Sequence, residues 1–136
     1  MKHTLCLLAV LAAASITTPA AFAYSGNELR ADCQAADTLH NDPNYSDPAL
    51  VASSARCLGY VMGFADGYAI SDYLAEKVGV RLAAFCLPKD ENLPHRLIRA
   101  VLSQFDRLPP KSDGSPATLT AAALARSFPC AIEPDK

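Results

Sequence analysis

The chain has 136 residues, with 12 basic against 14 acidic side chains, no tryptophan and five cysteines. That length allows one small domain. A formal net charge of −2 excludes the basic footprint that sequence-independent nucleic-acid binding needs.

The first element is a leader. "MKHTLCLLAVLAAASITTPAAFA" gives a basic start at Lys2, an apolar run from Leu5 to Ile16 and an Ala21-Phe22-Ala23 cleavage pattern. This reads as a secretory signal peptide over residues 1–23, because the uninterrupted apolar run is shorter than the roughly 20 residues of a membrane-spanning helix. Cys6 has no lipobox around it and leaves with the leader. The mature chain then spans residues 24–136, carries a net charge of about −3 once Lys2 is lost, and is placed in the periplasm with no further membrane segment.

Pro, Gly, Asn and Asp clusters divide the mature chain into four helices. "SGNE" has capping-box spacing at Ser25 and Glu28 and opens a helix to about His40, with Leu29, Cys33, Ala36 and Leu39 on one face. "NDPNYSDP" breaks it. Asp47 as N-cap and Pro48 in the first turn open a second helix to about Glu76, whose stripe is Leu50, Ser54, Cys57, Val61, Phe64 and Tyr68.

A connector, "KVGVRLAAFCLPKDEN", leads to Asn92 as cap and Pro94 in the first turn of a third helix. Its apolar face is Leu97, Ile98, Val101, Leu102, Phe105 and Leu108, and it stops at Pro109-Pro110. After "KSDGS", Ser115 and Pro116 start an alanine-rich last helix that ends before Pro129-Cys130. The expected fold is all-α: a small four-helix, disulfide-stapled bundle.

Cys33, Cys57, Cys86 and Cys130 remain after processing, an even number in an oxidising compartment. A metal site competes poorly, since no two form a C-x-x-C pair and the mature chain has only His40 and His95. A Cys–His nucleophile is disfavoured because an exported thiol with three possible partners is expected to be oxidised. Of three possible pairings, Cys33–Cys57 with Cys86–Cys130 is favoured, because each bridge then joins neighbouring helices.

Three glycines, Gly59, Gly63 and Gly67, interrupt the second helix at spacings of four and make one face without side chains. Each costs up to about 1 kcal/mol against alanine, so a compensating gain is required. Close packing inside the bundle is the expected gain, with a partner protein or a second copy of the chain as the alternative. Asp66 next to that face has no second carboxylate or base at helical spacing and reads as structural. His40 and His95 are expected to be solitary and solvated, and no catalytic group or cofactor site emerges, so the chain is not read as an enzyme.

The succession "GNELRADC", "CLGYVMGFADG", "FCLP" and "SFPC" resembles the Rap/Tai family of type VI secretion immunity proteins across nearly all of residues 24–136. Cys33, Cys57, Cys86 and Cys130 fall on the family's cysteine positions, and Gly59, Tyr60, Gly63 and Asp66 on its central helix motif, with Gly67 following as a further structural position. The resemblance implies an exported, helical protein, often dimeric, that binds and blocks a secreted peptidoglycan amidase or related toxin through variable surfaces. After the third helix the chain departs from the family's short His-Pro turn and reads "DRLPPKSDGSPAT".

That loop is the expected partner-binding surface on physical grounds as well. Arg107, Lys111, Ser112 and Asp113 offer charge and hydrogen bonds, and Pro109 and Pro110 reduce the freedom lost on docking. Tyr45, in the loop from Asn41 to Asp47, is a second expected anchor. The alternative function is a periplasmic acid-stress chaperone that exposes apolar surface when its carboxylates are protonated.

Overall fold

The computed structural model describes residues 23–44, 47–109 and 112–131; the leader, Tyr45 and Lys111 lie outside the described residues. Four helices follow in chain order: α1 (Gly26–Asn41), α2 (Pro48–Glu76), α3 (Leu93–Phe105) and α4 (Pro116–Ser127), with no strand among the described residues. Their boundaries follow local chemistry. Ser25 Oγ accepts from the Glu28 N–H at 3.2 Å while Glu28 accepts from the Ser25 N–H at 2.8 Å, which closes the expected capping box. Asp47 caps α2 through the Ala49 N–H at 2.9 Å.

The start of α3 differs in detail. Asn92 occupies the cap position, but its side chain makes no cap bond. Asp90 organises the turn instead, accepting from the Asn92 N–H at 2.9 Å and from Arg96 at 2.7 Å, and these two donors hold its carboxyl below the usual range.

α1 packs chiefly along α2, and α4 along α3. Leu29, Cys33, Cys57, Leu97, Val101 and Leu124 are completely buried between them. Full burial of one such leucine stabilises by about 1.5–3 kcal/mol. Both disulfides take the favoured pairing: Cys33–Cys57 staples α1 to α2 in the core, and Cys86–Cys130 ties the connector to the segment after α4. The Cys86 N–H also donates to the Phe128 carbonyl at 2.8 Å.

The glycine expectation is corrected. A Cβ built on Gly59, Gly63 or Gly67 would meet no described atom within 4 Å beyond its own helix, because the three lie on the outer face of α2. Close approach occurs at Gly26, where a Cβ would sit 2.5 Å from the Gly114 carbonyl oxygen and 2.8 Å from Leu119 Cδ1. The first turn of α1 therefore presses on the start of α4. The Asn27 N–H reinforces this by donating to Asp113 Oδ1 at 3.1 Å.

Candidate functional site

α2 is 29 residues long against 16 for α1 and 13 for α3, so at 1.5 Å per residue it outreaches both neighbours. Its buried residues end at Ala65. Beyond that point the helix carries apolar side chains with nothing of the bundle over them. Ile70, Tyr73 and Leu74 are each more than half exposed, and Val78, Val80 and Leu82 of the following loop are exposed as well. Six of the eight large exposed hydrophobics among the described residues thus fall within residues 70–82. Exposed apolar patches mark interaction sites on many proteins.

The loop is held in place by α2 itself. Val78 and Val80 N–H groups both donate to the Ala75 carbonyl at 3.0 Å, with Gly79 in the left-handed region at φ +80°. The Leu82 N–H donates to Asp72 Oδ1 at 3.1 Å, and the Ala84 N–H to Tyr68 Oη at 2.7 Å. Between them Ala83 adopts φ +46°, a conformation that costs a non-glycine residue about 1 kcal/mol or more. Phe85 then buries itself against Tyr68, with ring centroids 3.9 Å apart, and Cys86–Cys130 closes the far end. A surface pre-ordered in this way loses less entropy on docking.

Two clefts flank the patch. One of about 390 Å3 opens beside Tyr68, Asp72, Tyr73 and Phe85. Another of about 690 Å3 is lined by Asp72, Glu76, Arg81 and the Cys86–Cys130 bridge. Charge at this end is mixed, with Lys77 Nζ lying 4.7 Å over the Tyr73 ring. Sequence reasoning treated residues 77–92 as a connector. The signal it passed over was the alternation of Val78, Val80 and Leu82 with nothing to pair against.

The residues expected at the site are dispersed. Arg107 is exposed and Ser112 half-buried, while Asp113 is engaged with the start of α1. Asp66 faces solvent on α2. Tyr60 is half-buried, its hydroxyl raised by burial, and packs against Tyr24 with centroids 5.3 Å apart. At that end Asp32, only 4% exposed, accepts a bidentate pair from Arg56 at 2.8 and 2.9 Å and a third bond from Tyr24 Oη at 2.9 Å. Burial would raise the Asp32 carboxyl, but the bonds from Arg56 and Tyr24 outweigh it and hold the group below its ordinary value. The same burial, with Asp32 beside it, pushes the Tyr24 phenol upward.

Among the described residues no group of three or more His, Cys, Asp or Glu could hold a metal ion, and no helix is long and apolar enough to cross a membrane. Of the charged groups named above, Asp47 caps a helix, and Asp32 pairs with Arg56 and Asp90 with Arg96, while the exposed apolar residues gather at the end of α2 and in the loop after it. No curated protein and no solved structure matches the chain. The family profile of the Rap1a immunity proteins matches residues 25–130, from the capping serine to the last cysteine, and the chain belongs to that family.

Proposed function

We propose that the protein is a periplasmic inhibitor that binds a type VI-delivered peptidoglycan amidase and occludes its active site, without catalysis of its own. Membership of an immunity family supports a secreted toxin as the partner. The observation that carries the docking surface is the exposed set Ile70, Tyr73, Leu74, Val78, Val80 and Leu82 on a hydrogen-bonded loop. Apolar and aromatic anchors of this kind dominate interface energetics. The open glycine face of α2 favours a second copy of the chain there, since two helices can approach closely where side chains are missing.

The test uses the disulfide-intact mature protein, residues 24–136, as bait in secreted and periplasmic extracts at neutral pH. Recovery of one peptidoglycan amidase that is inhibited by the wild type, and lost with Leu74→Asp or Val80→Asp, supports the reading. Loss on replacing residues 109–114 by a Gly-Ser linker instead moves the site to the loop of Arg107, Lys111, Ser112 and Asp113. A broad set of unfolded proteins captured only after acidification overturns it in favour of an acid-stress chaperone.

A further inference from the structure

The two bridges differ in what can reach them. Cys33 and Cys57 have no exposed surface, whereas Cys86 is exposed and Cys130 half-buried. Cys86 lines both clefts beside the exposed apolar residues, and Cys130 lines the larger one, of about 690 Å3, with Asp72, Glu76 and Arg81. An exposed disulfide is open to exchange with thiols, while a sealed one offers no line of attack.

The exposed bridge also anchors one end of the loop after α2. Residues 77–86 leave from the turn on the Ala75 carbonyl and end at Cys86, tied to Cys130 through sulfur and to the Phe128 carbonyl through its N–H. Between these ends Asp72 and Tyr68 hold the Leu82 and Ala84 amides. Ala83 is thereby kept at φ +46°, a conformation that a non-glycine residue leaves when its restraints are cut.

We propose that Cys86–Cys130 is a redox latch on this loop, opened by a protein dithiol while Cys33–Cys57 stays closed. One thiolate of the dithiol attacks Cys86 Sγ, the S–S bond breaks, and Cys130 leaves as a thiolate and takes up a proton. The second thiol then attacks the dithiol's own sulfur in the mixed disulfide and releases Cys86 as a thiol. The bridge gains two electrons and two protons, and the dithiol becomes a disulfide. The sealed bridge and the core keep the bundle folded, while Ala83 relaxes and the loop leaves Asp72 and Tyr68, taking Val78, Val80 and Leu82 with it. That this opening also weakens inhibition rests on the docking surface proposed above.

Reduced thioredoxin, regenerated by its reductase and NADPH, is the probe. Applied to the disulfide-intact mature protein, residues 24–136, and followed by alkylation and peptide mapping, it should leave label on Cys86 and Cys130 and none on Cys33 and Cys57. Hydrogen exchange at the Leu82 and Ala84 amides should then quicken by about tenfold or more, while the core amide of Val101 stays protected. The Cys86→Ser, Cys130→Ser variant should show the quick exchange from the outset. Label on all four cysteines, label on none, or exchange at Leu82 and Ala84 that ignores the bridge overturns the latch. Against an amidase that the wild type inhibits, the reduced form should lose inhibition. A reduced form that still inhibits, beside a Leu74→Asp variant that does not, overturns the regulatory step, whereas inhibition by both strikes the docking surface beneath it.

Discussion

Removing the Cys86–Cys130 bridge isolates the contribution of chain entropy. The cysteines are 44 residues apart, and loop-closure entropy for a loop of that size is worth about 4 kcal/mol at 25 °C. Cys86 is exposed and Cys130 half-buried, so the Cys86→Ser, Cys130→Ser variant leaves no void in the core to add to that figure. A domain of this size has about 5–15 kcal/mol in total, and the variant should remain folded with its α1–α2 staple intact. Urea unfolding followed by far-UV circular dichroism should show a midpoint lower by roughly 2–4 M. Graded reduction should open this bridge before Cys33–Cys57, whose sulfurs lie in the core with no exposed surface. A loss below about 1 kcal/mol would refute the reasoning, because the Phe128 hydrogen bond and Phe85 packing would then already restrain the connector without the bridge.

Acid should weaken the protein through Asp32. Its carboxyl is held low in the folded state, so its contribution is complete above the ordinary carboxylate value near pH 4 and is lost as pH falls through the lowered one. Asp32→Asn should flatten that limb of a urea-midpoint profile between pH 5 and 2, and an unchanged slope would assign acid sensitivity elsewhere. Gly26→Ala should destabilise by about 1–3 kcal/mol, since its Cβ collides with the Gly114 carbonyl and Leu119, whereas Gly63→Ala should stabilise the isolated chain by up to about 1 kcal/mol; thermal melts of the two variants check the contrast. Thr120 is completely buried and its hydroxyl has no partner among the described residues, so Thr120→Val should be neutral or raise the melting midpoint.

The helices were legible because their signals are local. Capping residues, prolines in first turns and apolar stripes act over one or two turns, and Ser25–Glu28 and Asp47–Pro48 locate helix starts without reference to the rest of the chain. The cysteine pairing was legible as well, although Cys86–Cys130 joins the connector to the segment after α4 and not two helices. What sequence could not reveal is which face of a long helix stays uncovered. Gly59, Gly63 and Gly67 have the spacing of a packing groove, yet the bundle lies against the opposite side through Cys57, Val61 and Ala65. The meeting of His40 with His95 depends on how α1 and α3 cross, and the exposed end of α2 on how far its neighbours reach. Both are tertiary facts with no local signature.

Among the described residues the bridges join the four cysteines in sequential order, first with second and third with fourth. For a polypeptide that threads through a membrane N-terminus first, Cys33 and Cys57 arrive together on the far side before Cys86 has emerged. An oxidant that couples thiols as they appear would produce the native pairing directly. Thiol–disulfide reshuffling, which takes seconds to hours, is then unnecessary for maturation. On the proposed export route, new copies reach their bridged form without an isomerase, which suits the inhibitor role proposed above.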